Sequence, residues 1–223
     1  ISFYSIAIGF PIPIIFALLV NEIQHQKFKK LVQTISYLPH FISTVVVVTM
    51  MQMLLSVSDG PINQLVYQLT GERINFMSSP KWFRPLYVGS GIWQNFGWNS
   101  IIYLAAITGV DPNLYEAAYI DGSNRWKNMW YITLPCIMPT VITLLILRMG
   151  SIMSVGYEKI ILMYNEATYE VADVISTFTY RRGIQNSDYS FASAVGFFNS
   201  IINFAILTIV NKISKNATEI SLW

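Results

Sequence analysis

The sequence predicts an all-α polytopic membrane protein, a single transmembrane domain over residues 1–223, on three observations. Hydrophobic residues make up 53% of the chain and charged residues only 12%, against about 25% charged in ordinary soluble domains. Mean hydropathy is positive. Five apolar stretches, at about 1–20, 35–56, 84–110, 134–155 and 190–210, are each long enough to cross ~30 Å of hydrocarbon at ~1.5 Å per residue. The net charge of +2 is too small and too dispersed for a nucleic-acid binder, which needs clustered Lys and Arg. The single cysteine, Cys136, can form no intrachain disulfide and reads as a small buried hydrophobe.

The first span is nearly uncharged, and Pro11 and Pro13 are expected to kink it. No basic leader or small-residue cleavage site marks it as a signal peptide. Asn21 to Thr34 reads as a short loop whose Lys27, Lys29 and Lys30 favour the cytoplasmic side. The second span opens with Tyr37-Leu38-Pro39-His40-Phe41, and a lone His40 reads as a satisfied structural residue. Val57 to Phe83 is turn-rich and falls outside. The third span carries Trp93, Gln94, Asn95, Trp98 and Asn99. Polar side chains inside a span face a bundle interior or a water-filled cavity, so these residues either line a substrate path or bond between helices. Aromatic faces beside amides suit a sugar ring and its hydroxyls. Arg148, the one charge of the fourth span, must pair, snorkel or face water. Gly156 to Tyr189 is a long polar and aromatic outer segment, in which Tyr157 and Glu158 could add an aromatic platform and a hydroxyl acceptor. The fifth span then delivers Lys212 and Lys215 to the cytoplasm.

The coupling stretch, residues 111–133, lies between the third and fourth spans, and its core runs on to Pro135 as EAAYIDGSNRWKNMWYITLP. It reads as two short helices at an angle. Asp111 can cap the first and Pro112 suits its first turn. Gly122 tolerates the left-handed conformation that ends a helix, and Ser123 can cap the second. Ala117 and Ala118 let a helix settle deep in a partner's groove, with Glu116 and Asp121 flanking them. The alternative is an amphipathic helix resting on lipid headgroups; that kind usually carries Lys and Arg, and here two acids lead.

Glu116-Ala117-Ala118, Asp121-Gly122, and Ile132 with Leu134-Pro135 resemble the EAA signature of the permease subunits of binding-protein-dependent ABC importers. Ser123 stands where Ala is usual and Met129 where an aromatic is usual. The resemblance implies the type I permease core of five transmembrane helices, with a cytoplasmic coupling helix in a cleft of the ATP-hydrolysing subunit. Glu116, Ala117, Ala118, Asp121, Gly122, Leu134 and Pro135 are then the coupling residues. It further implies an upstream span and a cytoplasmic N-terminus before residue 1, a second homologous permease, an ATPase dimer that binds ATP and Mg, and an extracellular solute-binding protein. Gly9-Phe10-Pro11, Asn21-Glu22-Ile23, Ser36 to Ser43, Ala172 to Ile175 and Tyr180-Arg181 are similar to the branch that imports oligosaccharides released from polysaccharides.

No G-x-x-x-x-G-K-[ST] occurs, so energy must come from another polypeptide. There is no G-x-S-x-G, no H-E-x-x-H and no Cys/His cluster of metal-site spacing. The expected chain is a multi-pass plasma-membrane subunit with no catalytic residue, metal or cofactor of its own. An importer for an amino acid or anion remains open. A membrane enzyme or scaffold would need an intramembrane acid/base or metal set, which the sequence lacks.

Overall fold

The structure, a computed structural model, describes all 223 residues, and its regular elements are all helices. The chain divides into two units. One comprises Ile1–Ser2, Ile42–Gly91 and Met153–Ile201, the other Phe3–Phe41, Ile92–Ile152 and Ile202–Trp223.

The second of these holds the EAA stretch. Helix α1 (Ser2–Gly9) meets α2 (Pro11–Asn21) at Phe10, which itself keeps helical backbone angles, its N–H reaching the Ile6 carbonyl at 3.1 Å. Pro11 and Pro13 sit in the first turn of α2, where a missing N–H costs no helical bond. The polar segment expected as a loop is helical from Gln26 onward. Helix α3 (Gln26–Tyr37) begins where the His25 Nδ1 accepts from the Phe28 N–H at 3.2 Å. Its lysines alternate with Phe28, Leu31, Val32 and Ile35 at helical spacing, and that period outweighs their polarity. A 3₁₀ turn, Leu38–Phe41, follows at Pro39.

The apolar core of this unit joins Ile14, Ala17 and Leu18 of α2 to Tyr103 and Ile107 of α6 (Pro80–Thr108), to Met129, and to Ile137 and Val141 of α9 (Leu134–Met149). Helices α3 and α6 meet at small residues. A Cβ on Gly97 would collide with the Ser36 carbonyl, so only glycine permits this approach. Late in α13 (Tyr189–Thr218) the buried Asn211 Oδ1 accepts from the Leu222 N–H at 2.8 Å, tying down the C-terminal residues.

In the first unit α4 (Thr44–Leu54) is capped by Ser43, whose Oγ accepts from the Val46 N–H at 3.3 Å. The apolar stretch at about 35–56 is thus not one continuous helix: it ends at Phe41 and resumes at Thr44. Helix α5 (Pro61–Thr70) is anchored by Asn63, whose amide donates to the Leu55 and Ile74 carbonyls and accepts from the Ile74 N–H. Around Val48 and Phe83, the core adds Ile160 and Met163 of α10 (Tyr157–Met163) and Ala172 of α11 (Tyr169–Ala172). The long polar and aromatic segment from Gly156 to Tyr189 thus contains short helices, of which α12 (Ile175–Tyr180) runs on into a π-helical turn at Arg181–Gln185.

Three helices are long and apolar enough to cross a membrane: Ser2–Asn21, Arg125–Met149 and Tyr189–Thr218. Gln26–Phe41 with Thr44–Leu54 would make a fourth, counted together as one broken span. Helix α6, at 29 residues, is longer than the first two, but Lys81, Arg84 and its amides lower its hydropathy. Arg148 lies in the last turn of α9, exposed, where its charge complements the helix C-terminus. Cys136 is exposed, contrary to the buried position expected of it.

Candidate functional site

Helix α7 (Pro112–Ile120) forms where the sequence predicts it. The Asp111 carboxylate accepts from the Asn113 N–H at 3.0 Å, and Pro112 takes the first position. At the far end the Gly122 N–H reaches the Tyr119 carbonyl at 3.1 Å and the Ser123 N–H reaches the Ala118 carbonyl at 2.9 Å. Those two bonds make a Schellman closure, which requires the left-handed backbone that Gly122 supplies at φ +74°. Both ends of α7 are thus satisfied from within, so its shape does not depend on a partner.

The helix after it starts one residue later than expected. Asn124, not Ser123, caps α8 (Arg125–Asn128), its Oδ1 accepting from the Lys127 N–H at 2.9 Å. Nor do Leu134 and Pro135 close the stretch. The helix continues from Arg125 to Met149 through a π-helical turn at Met129–Thr133. There the Leu134 N–H reaches back five residues to Met129. Proline lacks the N–H and its ring crowds the preceding carbonyls, and the wider turn relieves both.

Helix α7 is bare. No residue in it is fully buried; Glu116 and Ala117 are exposed, Ala118 is half-buried, and Tyr119 and Ile120 are 79% and 84% exposed. Trp126, Trp130 and Tyr131 are exposed beyond it. Two acids, two small residues and several large apolar side chains share this surface. A side-chain hydrogen bond ties it to the long helix through Tyr115, whose hydroxyl lies 2.9 Å from the hydroxyl of the fully buried Thr133. Leu134 packs against the apolar core, and Pro135 is exposed.

The amide and aromatic face of α6 is partly spent on its own unit. His40 Nδ1 and Asn95 Oδ1 are 2.9 Å apart, the ring nitrogen donating. The His40 ring stacks on Trp98 at 4.6 Å, and Phe41 meets Trp98 edge-on at 5.5 Å. The structural reading of His40 is what the geometry provides. Gln94 is half-buried, Asn99 is exposed, and Trp93 and Trp98 remain 43% and 41% exposed. Tyr157 and Glu158 open α10 in the other unit, both exposed, with Tyr157 stacked on Tyr180 at 5.1 Å.

Two features of that unit escaped sequence reasoning. Arg181 grips Asp173 through both carboxylate oxygens. The guanidinium hydrogen bonds hold the Asp173 carboxyl below its ordinary pKa. The only trace in the sequence was that both residues stood in segments similar to the oligosaccharide branch. Lys159 donates to the Tyr87 carbonyl at 3.0 Å, its ammonium 5.0 Å from the Tyr87 ring, and burial pushes its pKa down to about 8.

Known proteins share both sequence and architecture with this chain. YteP of Bacillus subtilis (strain 168), a polygalacturonan/rhamnogalacturonan transport system permease protein, is 44% identical over 219 residues, which is 98% of this chain and 68% of that protein. LplB of the same organism is 43% identical over 215 residues, 96% of this chain and 68% of that protein. A chain in the crystal structure of a bacterial alginate ABC transporter, in complex with alginate pentasaccharide-bound periplasmic protein, superposes with a TM-score of 0.94. It is 46% identical, over 99% of this chain and 77% of that one. Residues 9–217 match the family described as binding-protein-dependent transport system inner membrane component, and the chain belongs to that family.

Proposed function

We propose that this chain is the permease subunit of an ATP-driven importer that passes oligosaccharides released from polysaccharides from a binding protein to the cytoplasm by alternating access. It pairs with a second, homologous permease, and an ATP-binding cassette dimer below it binds ATP and Mg. The observation that carries this reading is α7: internally capped, with no fully buried residue, and followed by a helix long enough to cross the membrane. A surface that bears Glu116, Ala117, Ala118, Asp121 and Gly122 fits the cleft of an ATPase, and Leu134 and Pro135 set the widened turn behind it. Five spans, with α6 as the third, give this helix a cytoplasmic position. The sugar class is supported by relatives whose names specify polygalacturonan, rhamnogalacturonan and alginate, and by the aromatic and amide residues Trp93, Gln94, Asn95, Trp98, Asn99, Tyr157 and Glu158 as a substrate path.

The test is a ligand screen on the cognate binding protein, followed by uptake into proteoliposomes that hold the assembled transporter. Binding and ATP-dependent uptake of an oligosaccharide are expected. A binding protein selective for an amino acid or an inorganic anion would move the chain to another branch.

A further inference from the structure

Tyr115 of α7 and two groups behind it, the Thr133 hydroxyl and the Asn128 carbonyl, form a hydrogen-bonded chain that the EAA signature does not include. The Thr133 hydroxyl donates to the Asn128 carbonyl at 3.4 Å, across the π-helical turn. The same hydroxyl lies 2.9 Å from the Tyr115 hydroxyl, and either of the two can donate. Thr133 is 1% exposed, while Leu114, Glu116 and Ala117 around Tyr115 are exposed. The same turn carries the Asn128 Oδ1, buried and without a hydrogen-bond partner. A buried, unpaired acceptor disfavours the arrangement that holds it, which suits a turn that has a second arrangement available.

We propose that Tyr115 is a positioning residue for transport, its hydroxyl locking α7 through Thr133 onto the π-helical turn so that a displacement of α7 is delivered to the span behind it. This rests on the reading of α7 as the helix that docks on the ATPase. The physical need is plain from the geometry. Helix α7 has no fully buried residue to key it in place, and apolar contact alone tolerates sliding. A hydrogen bond is directional and fixes register, and this one reaches the turn where the helix is already widened ahead of Pro135. A π-helical turn is a common place for such a device.

The test uses the full-length permease assembled with its partner subunits in proteoliposomes, in the variants Tyr115→Phe, Thr133→Val, Thr133→Ser and the Tyr115→Phe/Thr133→Val pair. Uptake of solute and hydrolysis of ATP are both measured with loaded binding protein, and their ratio is the readout. Each hydroxyl deletion is expected to raise ATP consumed per solute about fivefold, the worth of one net hydrogen bond. The double variant should add nothing further, because both changes break one bond, and Thr133→Ser should match the parent. An unchanged ratio in Tyr115→Phe and Thr133→Val overturns the proposal, as do additive effects or a Thr133→Ser as impaired as Thr133→Val. If Tyr115→Phe fails to assemble, a normal ratio in Thr133→Val overturns it by itself. Gly122→Val separates the two readings. Uncoupling there with normal Tyr115→Phe and Thr133→Val leaves α7 as the docking helix, acting through another contact; a normal Gly122→Val removes the docking reading itself.

Discussion

Asp173 and Arg181 form a fork-to-fork ion pair across α12, with Nη1 to Oδ1 at 2.9 Å and Nη2 to Oδ2 at 2.7 Å. Thr177 donates a third bond to Asp173, and the guanidinium lies 4.9 Å from the Tyr169 ring. Both side chains are more than two-thirds covered, so water screens the pair less than it would a surface bridge. Asp173→Asn should lower stability by about 2 kcal/mol, because a bidentate charged bond is lost and Arg181 is left half-satisfied. Arg181→Lys should recover only part, since an ammonium cannot match both oxygens.

The pair also predicts an acid limb. The Asp173 carboxyl is held below its ordinary value of 3.8, chiefly by the Arg181 hydrogen bonds. Its stabilising contribution is therefore complete above that value and is lost as pH falls through the lower, folded one. Melting temperatures of the parent and Asp173→Asn in detergent should converge below pH ~4, the ordinary aspartate range. A constant gap between them down to pH ~3 would show that this carboxylate is not the source.

Gly122 offers a clean test of docking, because a Cβ there would meet nothing within 4 Å and only its φ of +74° opposes a side chain. A β-branched residue is strained there by roughly 1–2 kcal/mol, while asparagine visits this region more readily than other residues. Gly122→Val should therefore insert normally yet lose ATP-driven uptake, and Gly122→Asn should retain most of it. Equal uptake in all three proteins would mean that the closure of α7 is irrelevant to transport.

Much of α7 was legible in the chain, because its ends are written in residues with one strong local preference: Asp111-Pro112 at the start and Asp121-Gly122 at the close. Between Ser123 and Asn124 the local rule is degenerate, since either side chain can cap, and the register of the Schellman bonds decided for Asn124. Lys27, Lys29 and Lys30 drew α3 into a loop because polarity was weighed above period. The π-helical turn was hidden for another reason. Pro135 announces a disturbance, but whether a helix breaks, kinks or widens there depends on what packs behind it, here Met129 and Thr133. Asn95 and Trp98 were visible as unusual residues, whereas their attachment to His40, 55 positions away for Asn95, is a tertiary fact.

Orientation can be read by thiol labelling, once the exposed Cys136 is replaced to clear the background. Single cysteines at Asn124 and Lys29 should react with a membrane-impermeant reagent only in opened cells, and those at Asp59 and Asn186 in intact ones. All four positions are exposed or half-buried, so protection reports the side of the membrane rather than burial. Labelling of position 124 from outside would reverse the topology.

The face of α6 yields the last prediction, and the geometry divides it in two. Asn95 holds His40, and Trp98 is clasped by His40 and Phe41, so both have packing roles in addition to any contact with solute. Asn99 is exposed one turn beyond Asn95, and Trp93 is also exposed. In hydrocarbon an unpaired amide costs on the order of several kcal/mol, so Asn99 should face water or a partner rather than lipid. If this face lines the path, Asn99→Leu and Trp93→Ala should raise the solute concentration for half-maximal uptake, with melting temperature and basal ATP hydrolysis unchanged. Asn95→Leu should instead lower the melting temperature, because it leaves the His40 N–H unpaired at a cost of about 1–3 kcal/mol. Its partner variant His40→Phe, which removes that donor and keeps a ring for Trp98 to stack on, should restore most of the loss when combined with it. Uptake curves for Asn99→Leu and Trp93→Ala that overlay the parent would return the whole face to helix packing.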